Sequence, residues 1–89
     1  MVRVTIDSWL REFGPREEEV VEAPDVGCLL EALEARYPRL RFRLRDETGA
    51  LRKYVKVFVD GEEVRGGAGL RTPVAGAGSV DILHSIAGG

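Results

Sequence analysis

One stretch near the middle of the chain has the spacing of an amphipathic helix, and it limits what the rest can form. Its apolar residues recur at helical intervals: Val26, Leu29, Leu30, Leu33 and Tyr37. Asp25 occupies the N-cap position, and Tyr37-Pro38 predicts the end because the residue before a proline disfavours the helical region. A single helix covers only one face of a sheet, so the other segments are expected to supply that sheet.

Strand patterns surround this helix on both sides. Five segments are predicted to be strands: residues 2–6, 17–23, 54–59, 62–65 and 79–84. The first two are expected to form a hairpin. Val20 and Val21 are both apolar, so the pattern leaves open which of them faces the core. Asp60-Gly61 is a strong hairpin-turn signal and is expected to join the third strand to the fourth.

The order of these elements predicts the fold. A hairpin, a helix, an irregular link at residues 39–53 and a second hairpin-like return describe an α+β, ubiquitin-like β-grasp roll. We expect a mixed sheet of four to five strands, one main helix, and first and last strands parallel at the centre. At 89 residues the chain is long enough for one such domain. We assign it to residues 1–84 and expect residues 85–89 to be a flexible, reactive tail.

The tail carries the most informative chemistry. It ends in Ile86, Ala87, Gly88 and Gly89. Glycine has no Cβ and can lie extended in a passage too narrow for other residues, whereas ordering it on its own domain is costly. Five extended residues reach roughly 17 Å at about 3.3 Å each. We interpret the tail as a thin, flexible tether that carries the α-carboxylate of Gly89 into the active site of another protein.

Composition argues against several other functions. A net charge of −2 argues against nucleic acid or an anionic membrane as the partner, and the arginine-rich run 39–45 is interpreted as a solvated face. The single cysteine, Cys28, forms no internal disulfide or zinc framework, and the single histidine, His84, completes no catalytic triad or two-histidine metal site. Without an apolar N-terminal run we expect no signal peptide or membrane span, and a cytoplasmic location.

Two residues invite a function but have simpler interpretations. Cys28 lies about 200° around the helix from Val26, so it is expected near solvent at the helix N-terminus, where its pKa would be lowered somewhat. We interpret it as a tolerated small residue. Trp9 and Phe13, spaced at i and i+4, are interpreted as a lid on the core and not as a ligand stack.

A docking surface is predicted beside the tail. If the last strand lies between the first strand and strand 54–59, Phe58 and Leu83 are neighbours on the face that the helix does not cover. An apolar pair there is a candidate anchor for the enzyme that activates the tail. His84, at the end of the last strand, is included as a docking candidate, although a partly exposed strand-end histidine is the simpler interpretation.

A resemblance to a known family covers essentially the whole chain. The chain resembles the ubiquitin-like sulfur carriers of the MoaD and ThiS family at residues 10–14, 26–34, 36–38 and 87–89. Within the family it looks most like the CysO branch, the carrier for cysteine synthesis, at residues 40–52, 54–65, 70–74 and 86–89. It departs from similar carriers at Gly76-Ala77-Gly78, where an acidic turn is usual, and at His84, where proline is frequent.

This resemblance implies a protein co-substrate that supplies no catalytic side chain. An adenylyltransferase of the MoeB/ThiF type would use ATP and magnesium to adenylate Gly89, and a sulfur donor or sulfurtransferase would convert the adenylate to a thiocarboxylate. In the CysO branch the acceptor is a cysteine synthase-like enzyme that contains pyridoxal phosphate, and a metalloprotease later frees cysteine. These cofactors belong to the partners, and none is expected on this chain.

Several alternatives stay open at this point. The same tail would suit the small subunit of molybdopterin synthase, whose acceptor is the large subunit, or a thiazole sulfur carrier. It would also suit a ubiquitin-like modifier conjugated to lysine, because conjugation begins with the same adenylate. A noncovalent interaction module with an inert tail is the remaining alternative.

Overall fold

The computed structural model describes residues 1–15, 18–64 and 69–84. The elements in chain order are β1 (Val2–Ile6), α1 (Ser8–Arg11), β2 (Glu19–Val21), α2 (Val26–Arg36), β3 (Val55–Val59), β4 (Glu62–Glu63) and β5 (Ser79–His84). Short 3₁₀ turns span Pro38–Leu40 and Gly69–Arg71. Among these described residues no helix has the length and apolarity needed to cross a bilayer.

The strands of the described residues form one mixed sheet in the order β2-β1-β5-β3-β4. The central pair, β1 and β5, is parallel, with Val4 beside Val80, and the remaining pairs are antiparallel. The predicted ubiquitin-like β-grasp topology is therefore confirmed, including five strands, the parallel central pair and the position of the last strand between the first and the third.

The core lies between the sheet and α2. The helix begins at the predicted residue because the Asp25 carboxylate accepts a 2.8 Å hydrogen bond from the backbone N–H of Cys28. Its apolar stripe is fully buried at Val26, Leu29, Leu30 and Leu33. Leu40 and Leu44 of the irregular link are equally buried, so this link closes one side of the core. Every buried residue in the described part of the chain other than Pro15 belongs to this apolar core.

The structure answers the question that the sequence left open for β2. Val21 pairs with Val2 and is 1% exposed, whereas Val20 is 46% exposed. The strand is shorter than predicted because after Val21 the chain turns toward the loop before β5, where Pro24 O accepts a hydrogen bond from Val74 N. Of the predicted strand 17–23, residue 17 lies outside the described residues.

The second hairpin turns where it was predicted to turn. Asp60 and Gly61 have φ angles of 48° and 87°, the pair of positive values that a tight type I′ turn requires. Asp60 Oδ1 also accepts hydrogen bonds from the backbone N–H groups of Gly78 and Ser79, both at 3.0 Å. The Asp60 carboxylate thereby fixes the start of β5, directly after Gly76-Ala77-Gly78.

The prediction for Trp9 is wrong. Its side chain is 60% exposed and does not cover the core. The helix α1 has only four residues, so it turns a single side chain fully inward, and that residue is Leu10 at 3% exposure. Phe13 is half-buried and packs against the core, as a lid residue would.

Candidate functional site

The candidate site is built around His84, where β5 ends and the predicted tail begins. His84 pairs with Val55 of β3, so β5 is paired with β3 as far as its last described residue. On the other side, its backbone N–H donates a 3.0 Å hydrogen bond to Asp7 Oδ2. The tail residues Ile86, Ala87, Gly88 and Gly89 lie outside the described residues, so their assigned roles stay predictions.

Asp7 holds this root of the tail. Its backbone N–H donates to Ile82 O at 2.9 Å, and its Oδ1 accepts from the backbone N–H of Trp9 and the hydroxyl of Ser8. The hydrogen bond from the His84 backbone, followed by those from Trp9 and Ser8, lowers the pKa of Asp7 below its ordinary value of 3.8 despite partial burial. No pattern in the sequence indicates the contact between Asp7 and His84.

The His84 side chain lies against α1. Its ring stacks on the indole of Trp9 with centroids 5.6 Å apart and an interplanar angle of 27°. Its Nδ1 is buried and has no hydrogen-bond partner within the part of the chain that the structure describes. The residue as a whole is partly exposed, as predicted for a strand-end histidine. Its proposed part in docking stays a prediction.

Phe58 and Leu83 lie on the outer face of the sheet, opposite α2. Lys56 is directly across from Leu83, and Asp81 is directly across from Phe58, so the apolar pair is diagonal within one face. Leu83 is 40% exposed and Phe58 is half-buried. The predicted placement on one face is confirmed. An apolar pair among polar side chains has the arrangement of an interface anchor with a polar rim.

A groove of about 300 Å³ lies on the other side of β5. It is lined by Trp9, Phe13, Phe42, Arg43, Arg52 and His84, and we call these residues the root groove. The groove was not predicted from the sequence, because the run 39–45 was interpreted as a solvated face. That interpretation was incomplete: Leu40 and Leu44 anchor the run in the core, and Arg45 pairs with Glu34 at 2.7 Å.

Cys28 is exposed, as predicted, but the prediction for its pKa is wrong. The hydrogen bond between its thiol and the Asp25 carboxylate raises the pKa, with smaller contributions from burial and from the charges of Asp25 and Glu31. Among the described residues no group of three histidine, cysteine or acidic side chains is arranged to hold a metal ion.

The fold is that of a ubiquitin-like β-grasp domain. Its single main helix covers one face of the sheet, and its last strand, which leads into the tail, lies at the centre of the sheet. The ThiS family matches residues 4–89. The chain belongs to the ThiS family of ubiquitin-like sulfur carriers, which confirms the resemblance found in its sequence.

Curated relatives agree with this assignment over nearly their whole length. The sulfur carrier protein CysO of Mycobacterium bovis is 36% identical over 91 residues, which cover 99% of this chain and 98% of the relative. CysO of Mycobacterium tuberculosis has the same identity and coverage.

Solved structures give the same result. The crystal structure of Mycobacterium tuberculosis CysO matches with a TM-score of 0.85 at 32% identity, covering 97% of this chain and all of that one. A chain of the Amycolatopsis orientalis BexX/CysO complex matches with a TM-score of 0.86 at 30% identity, covering 100% of both. The crystal structure of SAMP1 from Haloferax volcanii matches with a TM-score of 0.77 at 23% identity, covering 99% of this chain and 98% of the SAMP1 chain. At this identity the match shows a shared fold.

Proposed function

We propose that this chain carries sulfur as a thiocarboxylate at Gly89 and donates it in cysteine biosynthesis. The observation that carries the proposal is the 36% identity to CysO sulfur carriers, which extends over 98% of the relative's length. The family match also reaches Gly89 itself. The chain would act as a co-substrate of its partner enzymes, with the tail carboxylate as its reacting group.

The chemistry requires activation because a carboxylate is a poor electrophile. An oxygen of Gly89 attacks the α-phosphorus of ATP, pyrophosphate leaves, and a mixed anhydride with AMP forms. Hydrosulfide then attacks the acyl carbon and AMP leaves with the oxygen, so that after proton loss Gly89 is a thiocarboxylate. That anion is nucleophilic at neutral pH. Tethering it to a folded domain raises its effective concentration in the acceptor's active site.

The folded domain positions the tail for the partner enzyme. Asp7 and Val55 hold the two sides of His84, so the tail starts from a fixed point at the end of the central strand. Phe58 and Leu83 supply an apolar anchor next to that point. A partner that binds this face would receive the tail in a defined direction, which reduces the entropic cost of bringing Gly89 to the reacting phosphate.

The proposed partners follow from the steps. A MoeB/ThiF-type adenylyltransferase would supply ATP and magnesium, a sulfurtransferase or other sulfur donor would supply the sulfur, and a cysteine synthase-like enzyme with pyridoxal phosphate would accept it. A metalloprotease would free the product from the carrier. All of these steps are proposed to take place in the cytoplasm.

Mass spectrometry of the protein from its native cells tests the proposal. We expect a fraction of the intact chain to carry one sulfur in place of one oxygen at Gly89. A Gly-Gly remnant on lysines of other proteins, without any thiocarboxylate, would contradict the proposal and indicate a protein modifier. Incubating the thiocarboxylate form with cysteine synthase-like, molybdopterin-synthase and thiazole-forming acceptors would then separate the three sulfur pathways, and we expect turnover with the first.

A further inference from the structure

The root groove and the outer sheet face lie on opposite sides of the point where the tail begins. Successive residues of a strand point to opposite faces, so Leu83 faces outward and His84 faces the root groove. A protein that closes around a chain leaving His84 therefore meets both surfaces. The proposed function assigns a role only to the outer face.

Two exposed aromatic side chains stand at the edge of the root groove. Trp9 is 60% exposed and Phe42 is 55% exposed. Phe42 has a φ of 66°, a conformation that bulky residues rarely adopt, and its carbonyl accepts a hydrogen bond from Arg52 Nε. Large aromatic residues that stay exposed beside a groove are the anchors that protein interfaces favour.

Three arginines of the run 39–45, Arg39, Arg41 and Arg43, lie over aromatic rings at the edge of the root groove. The guanidinium of Arg43 is 3.6 Å from the centre of the Phe13 ring, and its Nε donates to Arg39 O at 3.1 Å. Arg41 lies over Phe42. Within residues 1–15, 18–64 and 69–84, these three arginines have no carboxylate within 4.0 Å, whereas Arg36 is paired with Glu19 at 2.9 Å.

This arrangement leaves a local positive charge on a chain whose net charge is −2. The guanidinium of Arg43 is held in place by a ring on one side and by a backbone carbonyl, so it loses little freedom when it binds a carboxylate. The chemistry that complements the root groove is therefore an acidic side chain beside an apolar or aromatic one.

We propose that the root groove is a second docking site, occupied by an acidic, apolar-tipped loop at the mouth of the enzyme that adenylates Gly89. The inference rests on the proposed function. Five residues reach roughly 17 Å, so an active site that takes Gly89 must bring its entrance close to His84 and cover the groove beside it. The adenylating enzyme is chosen because sulfur transfer and lysine conjugation both require it first.

The sole tryptophan makes the root groove directly observable. The full chain is labelled with 5-fluorotryptophan, so its ¹⁹F spectrum contains the signal of Trp9 alone, and unlabelled MoeB/ThiF-type adenylyltransferase from the same cells is titrated in. We expect the Trp9 resonance to move to a new chemical shift at saturation. In parallel, Arg43→Glu is expected to raise the Kd at least about tenfold, because it places like charges in contact.

The matched control is Arg71→Glu, which makes the same charge change at an exposed arginine of the turn that packs on α2. It is expected to change the Kd less than about twofold, as rim charges outside an interface do. Both positions are exposed, so both variants should fold, with melting temperatures within about 5 °C of wild type even though Arg43→Glu loses the contact with the Phe13 ring. Arg43→Lys, which keeps the charge, should restore part of the affinity lost in Arg43→Glu.

An unchanged Trp9 resonance at saturation, or equal Kd values for Arg43→Glu and Arg71→Glu, would overturn the inference. If wild-type protein is nevertheless converted to the thiocarboxylate, the proposed function stands and only the second docking site fails. If wild-type protein neither binds the enzyme nor is adenylated, both proposals fail.

Discussion

The Asp7 carboxylate joins two parts of the chain that are 77 residues apart. Its two oxygens accept hydrogen bonds from the N-terminus of α1 and from the backbone of His84, the last described residue of β5. One side chain therefore sets both the start of the short helix and the origin of the tail. At the helix it is the N-cap, directly before Ser8, the first residue of α1. Its contact with His84 depends on the register in which β1 pairs with β5, which no local pattern reveals.

The lowered pKa of Asp7 predicts a pH-dependent stability. A carboxyl whose folded-state pKa is depressed stabilises the fold above its ordinary pKa of 3.8, and this contribution is lost as pH falls through the lowered value. Asp7→Ala should cost about 0.5–2 kcal/mol at pH 7 by removing the cap. The difference from wild type should shrink below about pH 3.8. Urea unfolding of both proteins across this range measures it.

Asp7→Asn separates the charge from the cap, because asparagine caps helices about as well as aspartate. Its unfolding free energy should lie between those of the other two proteins at pH 7 and should vary less with pH than that of wild type. A wild-type protein whose stability relative to Asp7→Asn is the same at pH 3 and pH 7 would contradict the account of Asp7.

The two terminal glycines belong to the same scale. Gly88→Ala and Gly89→Ala each add a methyl group next to the reacting carbonyl and are expected to change the stability of the domain by less than about 0.5 kcal/mol. In a passage built for glycine the methyl displaces the carboxylate, and a displacement of about 1 Å can cost on the order of a hundredfold in rate. We expect normal melting curves and strongly reduced adenylation, measured as ATP-dependent pyrophosphate release. Melting temperatures that fall together with the rate would contradict this.

Among the elements, α2 and β5 were predictable from periodicity because each has one clear buried face. The stripe from Val26 to Leu33 is buried along its whole length, and Val80 and Ile82 of β5 face the same core. The root groove was not predictable in this way. Its wall at residues 39–45 alternates arginine with apolar residues, which is the period of a half-buried strand, yet it forms a 3₁₀ turn and further turns in which Leu40 and Leu44 are buried and Phe42 is exposed. Trp9 was misassigned because α1 is a single turn and turns Leu10 inward.

The facing of β2 gives a test at the scale of one element. Val21→Ala removes two methyl groups from the core and should cost about 1.5–3 kcal/mol. Val20→Ala is the same change at the neighbouring exposed position and should cost less than about 0.5 kcal/mol. Denaturant unfolding of the two variants measures the difference. Equal losses would mean that β2 pairs with β1 in a different register.

At the scale of the whole molecule, a central strand delivers the tail between two surfaces of different chemistry. The outer face offers an apolar pair among polar side chains, and the root groove offers aromatic rings and arginines. The outer face was predictable from strand alternation in the sequence, because Val55 and Val57 of β3 point to the core and Phe58 points to the opposite face. The groove required the tertiary structure, because it joins α1, the link after α2 and the end of β5.

The outer face is expected to contribute directly to partner binding. Phe58→Ala or Leu83→Ala should weaken binding of the adenylyltransferase by on the order of 1–3 kcal/mol with little loss of stability. Val20→Ala is the control, since Val20 is an exposed apolar residue on the same sheet at its far edge strand. Calorimetric titration measures the affinities. Unfolding of either variant with unchanged affinity would show that the pair belongs to the core and not to an interface.

The central claim is that the Gly89 carboxylate is the sulfur carrier, and intact-mass analysis of a reconstituted reaction tests it most directly. The full chain is incubated with adenylyltransferase, ATP, magnesium and a sulfide source, beside variants in which Gly89 is deleted or followed by one added residue. The account predicts that only the wild-type mass increases by the exchange of one oxygen for sulfur, and that the change lies in the terminal peptide. Sulfur incorporation by the Gly89 deletion would contradict it and would direct attention to Cys28.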